Sequence, residues 1–597
     1  MTEFSPEAPP ESRALPWLLL LPLILLGWPW PSLIQGDFAT TEHTALGLAS
    51  LAILPLAIYL GWMRKSPSPG SLLLFLALFV PVNFGDASDK MEQERALLTF
   101  LCALFMLNGG ALLASEGRRW LAITLSLISI VLVSPALLEG APGWGGVLGN
   151  SGELSAAALP GALTGFVLWV HSKPRWQWVG MIATGLSLLH ATFAPVIATL
   201  VVFAIVSGLT LVFSRRVDAV VRTKCFTLLA CALGALAWTK WAPATSPATT
   251  SSAVASVDAD APTHFGGIEV RKRIWLSTAA MALDHPLVGV GPGQFAVEFP
   301  AYRDPEELAL STWNHKIEAS TEVEHPHSDW ILPWAEGGVL AGIAWWLFLL
   351  LVLRCAKQAL GSRDVSTAAL SAGALGGLFA AGVNAPLLYN PTASIAIFAV
   401  FGVVISSAPK LKVRRIHKSN KFGRYLVAVI ALFHLLLLPR AYGLVNHGQA
   451  LARLAASKTD TERGEAIEAA VACQEDSVVA RTLEARLFEQ RDGDLEAALA
   501  SWERVLQLRP LRFEALMQRG VLLARTERLE LAQASFDAAT ALDSTHPVLI
   551  RNRARLAAER GDSAAVFTEL ERLAELDAFD ANWLLAVACK QVLQGRI

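Results

Sequence analysis

The sequence predicts an all-α membrane protein: a polytopic bundle of about thirteen transmembrane helices with a long outer loop, then a soluble helical tail. Three observations predict it. Of 597 residues, 53% are hydrophobic and only 17% charged, where soluble domains run near a quarter charged. Up to about residue 441 the apolar residues recur in runs near the ~20 residues that a bilayer core demands; beyond it, charge returns. The basic residues fall in every second loop. An open sheet cannot span lipid with unpaired edges, and the runs lack the alternation of a barrel, so the spans are helices.

The first run, Leu15 to Ile34, follows a single basic residue, Arg13, and lacks a small-x-small cleavage site, so it reads as a retained anchor. Runs follow at about 44–62, 70–85, 96–115, 119–138, 155–171, 176–193, 195–214, 223–242, 330–353, 366–388, 392–408 and 425–439. Arg64-Lys65, Arg118-Arg119, Lys173 with Arg175, Arg215-Arg216 with Arg222 and Lys224, Arg354 with Lys357 and Arg363, and Lys410 to Arg424 mark the cytoplasmic loops. The opposite short loops hold only Lys90 and Arg95. This places the segment 243–328 and the tail after 445 on the outer side, with residues 1–442 forming the membrane domain. A formal net charge of −2 argues against nucleic acid as a partner. Six cysteines without zinc-like or framework spacing exclude a disulfide scaffold.

The outer segment has two characters. Residues 243–263 are small, polar and Pro-dotted, the composition of a flexible stretch. From Gly266 onward aromatic, basic and histidine residues gather; five of the twelve histidines (His264, His285, His315, His325, His327) lie in this segment. Long, chemically rich loops carry function. His325-Pro326-His327-Ser328-Asp329 has a zinc-like H-x-H-x-D form, but it runs into a membrane helix; Asp258-Ala259-Asp260 lies in the flexible stretch. No metal site and no cofactor is expected.

In the tail, Gly520, Ala532, Phe536 and Ala539 resemble the small and aromatic positions of a tetratricopeptide unit, with Ala498 and Trp502 in equivalent places 34 residues earlier and Pro510 closing that unit. Ala554 continues the register in a looser third unit. Small residues let paired helices approach while the aromatic fills the gap, which predicts an α-solenoid over 445–597.

Three pieces of the outer loop, VRKRIW (270–275), DHPLVGVGPGQFAVEFPAYR (284–303) and HPHSDWILPWAEGGVLAG (325–342), taken together resemble the O-antigen ligase family of membrane glycan transferases. Arg271 and Trp275 have the Arg-x-x-x-Trp spacing, Gly289, Gly291 and Gly293 match the glycine turn, and His327 matches the family histidine. Gly149-Asn150-Ser151-Gly152-Glu153-Leu154 resembles the family's Gly-Asn segment; the likeness spans roughly 145–345 within a core of about 145–410. The resemblance implies transfer of a glycan from a polyprenyl-diphosphate carrier to an acceptor hydroxyl, without metal, at the outer face of the bacterial cytoplasmic membrane. The acceptor is a lipid, a glycan or a protein. Such chemistry needs a guanidinium fork on the diphosphate, for which Arg271 and Arg273 stand in place. It needs a base or orienter for the hydroxyl, for which His327 stands, with His325 or Asp329 orienting it. Glu336, an ionisable residue in an apolar run, joins the catalytic set, and Gly291 and Gly293 the substrate contacts.

The chain departs from the family in two places. The helix that carries a Ser-Arg-Gly-like stretch in family members reads LLHATFAPV (188–196), with His190 and no arginine, and Ser328 follows His327 where the family favours Asn. Two further classes therefore stay open: a weakened relative whose repeats recruit envelope proteins, and a transporter, against which no paired half-length broken segments occur.

Overall fold

A computed structural model describes residues 10–27, 38–63, 69–81, 87–139, 151–172, 174–213, 219–241, 268–312, 321–408 and 421–576. The stretch 243–263, His264, His315, the Gly149-Asn150 pair and the basic loop 410–420 lie outside the described residues. Every regular element among the described residues is a helix.

Among the described residues nine helices precede the segment 243–328: α1 (Pro10–Gly27), α2 (Phe38–Met63), α3 (Pro69–Leu74, continuing as a π-turn Phe75–Phe79), α4 (Lys90–Ala111), α5 (Ser115–Glu139), α6 (Ser151–His171), α7 (Pro174–Phe193), α8 (Ile197–Phe213) and α9 (Ala219–Trp241). After α10 (Ile268–Asp284) come α11 (Leu332–Leu360), α12 (Val365–Ala380), α13 (Pro391–Ser407), α14 (Lys421–Leu436) and α15 (Leu438–Ala456). Five of these, or six if the bent pair Ala428–Leu436 and Leu438–Ala456 counts as one span, are long and apolar enough to cross a membrane among the described residues. Shorter apolar helices, among them Ile197–Phe213 and Pro391–Ser407, stand beside them. The chain is a multi-pass membrane protein.

Lipid gives little hydrophobic drive between helices, so close approach depends on small residues. Helices α4 and α13 show the device twice over. A Cβ on Gly110 would stand 2.0 Å from the Ala399 carbonyl oxygen, and one on Gly402 the same distance from that of Leu107. Phe348, Phe398 and Phe401 pack edge-to-face and stacked beside them, with α11 completing the layer.

Three stretches depart from the sequence reading, one of them the run 425–439, which bends by 42° between Leu436 and Leu438. The run 366–388 is not one helix: α12 stops at Ala380, residues 381–390 form turns, and α13 begins at Pro391. Asn390 caps α13 by accepting from Ala393 N at 3.0 Å, and Pro391 fills a position that needs no donor. The run 330–353 extends to Leu360 and breaks at Gly338 (φ 69°, ψ −168°).

At the other end of the chain α15 runs unbroken from Leu438 to Ala456, across residues 442–445. Helices then follow in consecutive antiparallel neighbours: α16 (Asp460–Cys473), α17 (Val478–Leu487), α18 (Leu495–Leu508), α19 (Phe513–Arg525), α20 (Leu529–Leu542), α21 (Pro547–Glu559) and α22 (Ser563–Glu575). Trp502 and Phe536 are fully buried. A Cβ on Gly520 would lie 2.4 Å from the Phe536 ring, so the glycine is what lets α19 and α20 close on it.

Candidate active site

The first turns of four helices meet at one end of the bundle. Asn390, ahead of α13, donates to the Glu153 carboxylate (3.0 Å) and carbonyl (3.2 Å) in the first turn of α6. Arg95, near the start of α4, donates to the Leu388 carbonyl at 2.9 Å. Asp329, just before α11, accepts from Leu387 N at 2.8 Å and Leu388 N at 3.2 Å. Helix N-termini carry partial positive charge, so their convergence suits an anion.

Helix α10 lies over this end. Its Trp275 indole donates to the Pro326 carbonyl at 2.8 Å, which gives the Arg-x-x-x-Trp spacing a physical meaning. Trp275 pins the His325–His327 segment while Arg271, one turn earlier, reaches the Val383 carbonyl in the turn between α12 and α13. That turn is tied to α6 through Asn384, which donates to the Gly152 carbonyl at 3.4 Å. Arg271 forms no ion pair among the described residues, although Glu153 acts on it through space. Burial draws its guanidinium below the ordinary value, with Glu153 opposing. A half-buried cation in that state is stabilised by an anionic ligand.

His325 and His327 sit between Arg271 and the α13 turn. Their rings meet edge-to-face at 4.4 Å, and the His327 backbone N–H donates to His325 Nδ1 at 3.2 Å. His325 is buried and packs on Tyr389 at 4.5 Å, whose other neighbour is the Arg95 guanidinium, 3.8 Å from the ring centre. His327 is half-buried and adopts φ 51°, a left-handed conformation sparsely populated by side-chain-bearing residues. Burial and then the Arg271 charge push its imidazole down to about 3. Burial, followed by the positive fields of His327, Arg95 and Arg271, holds His325 well below its usual range. Both rings are neutral at neutral pH.

The remaining candidates have structural partners. Asp329 is wholly buried, and its two oxygens fix the 387–388 backbone rather than either histidine; burial raises its carboxyl even so. Glu336 accepts from Gly293 N at 2.9 Å, while its carbonyl accepts from Gly291 N at 2.9 Å. The two glycine amides therefore dock their turn onto the start of α11 instead of facing a substrate. Arg273 is turned to another cluster, paired with Asp304 at 2.9 Å, with Glu306, and with Glu269 at 3.6 Å. The structure brings Arg271, His325 and His327 together and leaves Arg273 outside their group.

The sequence reading passed over Arg95, Glu92 and Tyr389. Arg95 is 4% exposed and pairs with Glu92 at 2.6 Å, and Glu92 also holds His43 at 2.9 Å. The signal was present: Arg95 is one of two basic residues breaking the loop asymmetry, and it stands at the entry of an apolar run. His190 is fully buried and bonded to Ser155 at 3.1 Å. Among the described residues no group of three or more His, Cys, Asp or Glu is arranged to hold a metal ion.

A multi-pass helical bundle whose helix N-termini gather Arg95, Arg271 and two histidines at one end defines a class, polytopic membrane proteins with a polar side-chain cluster at one end of the bundle. Residues 143–346 match the family model described as O-Antigen ligase, which points to membrane glycan transfer. The match takes in Glu153, Arg271, the glycine turn, both histidines and Glu336; Arg95, Tyr389 and the tail lie beyond it. No curated protein matches the chain at a significant level.

Proposed function

We propose that the protein is a lipid-linked glycan transferase of ligase or polymerase type, working in cell-envelope polysaccharide assembly. All thirteen apolar runs are read as crossing the bacterial inner membrane, with the 243–328 loop and a tetratricopeptide-like tail on the outer side. The donor is a polyprenyl-diphosphate glycan and the acceptor a hydroxyl of a lipid, glycan or protein. One observation carries the reading: Arg271, a half-buried cation without an ion-pair partner among the described residues, lies beside the neutral imidazole of His327 at the mouth of the bundle.

The acceptor oxygen attacks the anomeric carbon of the donor sugar. The bond from that carbon to the diphosphate oxygen breaks, its electron pair stays on the polyprenyl diphosphate, and the acceptor proton passes to His327. Arg271 holds the departing diphosphate through its planar fork. The pair also explains how so weak a base serves. Burial and then the Arg271 charge depress the basicity of His327; a bound diphosphate offsets the second of these, so the imidazole gains basicity when the donor is in place. Arg273, held by three carboxylates, braces α10 instead.

The test is transfer by the purified full chain in nanodiscs, with a polyprenyl-diphosphate glycan and a panel of acceptors. Loss of a positioned base costs about 10²–10⁴-fold, so His327→Ala should lose transfer while remaining inserted, and Arg271→Lys should lose most of it because a point charge cannot replace the fork. Transfer by His327→Ala at the wild-type rate ends the assignment. His190, standing where the resembled family carries an arginine and here bonded to Ser155, favours one second reading, an envelope scaffold working through the tail. A wild-type chain inert with every donor, yet binding envelope proteins through 457–576, would establish it.

A further inference from the structure

We propose that the helical tail completes the active site: Arg509, in the turn between α18 and α19, is a positioning residue that fixes the segment carrying His327. The inference rests on the transferase reading for its consequence and on geometry for its substance.

Arg509 is 7% exposed and reaches across from the tail to two places on the bundle's outer end. Its Nε lies 3.0 Å from Asp89 Oδ2, and its Nη1 lies 3.6 Å from Glu324 Oε1. Three residues further on, Arg512 Nε lies 3.1 Å from Glu322 Oε1. Glu322 and Glu324 immediately precede His325. The tail therefore grips the irregular stretch 321–324 by two carboxylates, and Arg303 grips the same stretch from the bundle side through the Thr321 carbonyl and hydroxyl.

Asp89 is the second anchor, and it is not a bystander. Its Oδ1 caps α4 by accepting from Glu92 N at 3.2 Å, leaving Oδ2 for Arg509. Its backbone is clasped by Gln294, which accepts from Asp89 N at 3.1 Å and donates to its carbonyl at 2.9 Å. Gln294 follows the Gly293 that Glu336 holds. One turn of α4 beyond, Glu92 pairs with the Arg95 that supports Tyr389 under His325. Arg509 thus joins both arms that end on the histidine pair.

Why should a distant tail matter to His327? That residue is held at φ 51°, and a conformation of this kind persists only where its surroundings over-determine it. Trp275 fixes the segment at Pro326; upstream, Val323 packs on the bundle core, and the polar fixings are the tail's arginines and Arg303. Beside the seam, Phe299, Leu308, Leu511, Phe513 and Leu542 line a cavity rather than a packed contact. The ion pairs, not apolar packing, set the relative position there.

Two readouts on the full chain in nanodiscs test this. Arg509→Ala should raise backbone hydrogen exchange over 321–328 while leaving α6 protected as in wild type. Misplacing a reacting group by roughly 1 Å costs about 10²-fold, so kcat should fall by about that factor with the donor KM little changed. Arg509→Lys should recover part of both, since a single charge reaches Asp89 but cannot span to Glu324. Should Arg509→Ala fail to insert, Glu324→Gln removes one arm at a half-exposed carboxylate and should show the same two changes in smaller measure. Wild-type exchange in these variants overturns the grip itself. Raised exchange with wild-type kcat overturns its role in positioning. If His327→Ala transfers normally, the transferase assignment falls, while the exchange measurement still decides whether Arg509 holds the segment.

Discussion

Replacing Gly338 by alanine probes the joint between the glycine turn and the membrane helix that follows it. Gly338 breaks α11 at φ 69° and ψ −168°, a region open essentially to glycine. A Cβ there would lie 2.3 Å from the Leu287 carbonyl oxygen and 2.7 Å from Val288 N. Those are backbone atoms, so no side chain can swing away to make room. Holding alanine in that conformation costs about 1–3 kcal/mol. Relief of the contact must push the turn off α11, where it is held by Val339 N to the Pro286 carbonyl (2.8 Å), Val290 N to Ala335 (2.9 Å) and Gly291 N to Glu336 (2.9 Å). Each such bond is worth about 1 kcal/mol net; losing one or two brings the total to about 2–5 kcal/mol. The assay is thermal unfolding of the purified full chain followed by tryptophan fluorescence. Gly185→Ala is the control, since a Cβ there meets nothing within 4 Å and alanine favours a helix interior by roughly 1 kcal/mol. Gly338→Ala melting alongside Gly185→Ala would refute the reasoning.

In the tail, Trp502→Ala or Phe536→Ala removes a fully buried ring and should cost about 3–5 kcal/mol; an unchanged denaturation profile of the tail helices would contradict the packing described. The two depressed imidazoles predict an acid effect. Neutral His325 and His327 contribute stability that is complete above the ordinary value of 6.5 and lost as pH falls below it, for His327 toward about 3. The unfolding temperature of wild type should therefore drop more steeply below pH 6.5 than that of His327→Gln, and parallel curves would count against it. For topology, an impermeant thiol reagent applied to intact cells should reach cysteines introduced at 250 and 560, in a background without native cysteines, but not one at 418. Labelling at 418 alone would invert the orientation.

Much of the fold was legible because hydropathy and loop charge act over whole segments. Among the described residues helix covers most of each apolar run, and the tail aromatics Trp502 and Phe536 are buried between helices. What hydropathy could not see was interruption. Residues 381–390 are apolar enough to prolong α12, yet Asn390 and Pro391 start a new helix and leave the turn free to receive Arg271 and Asp329. Motif order pointed to Arg271, Trp275 and His327 together; one helical turn separates the first two, and the bond from Trp275 to the Pro326 carbonyl brings in the third across 51 residues. It could not separate Arg273 from Arg271, two residues apart but on different faces, nor assign the glycine turn and Glu336 to each other. Those pairings lie 43 residues apart in sequence, and only the folded chain reveals them. Arg95 was readable in principle, because a buried charge at the lip of a span is costly, but as an irregularity of topology it was weighed for orientation alone.

The unbroken passage of α15 from the bundle into the tail limits how this chain can change over generations. A residue inserted or deleted between 442 and 456 would turn everything downstream by about 100° and shift it by about 1.5 Å. The turn bearing Arg509 would then face away from Asp89. This joint must therefore keep its helical phase for Arg509 to reach Asp89, and a tail grafted from a relative would work only when joined in the same phase.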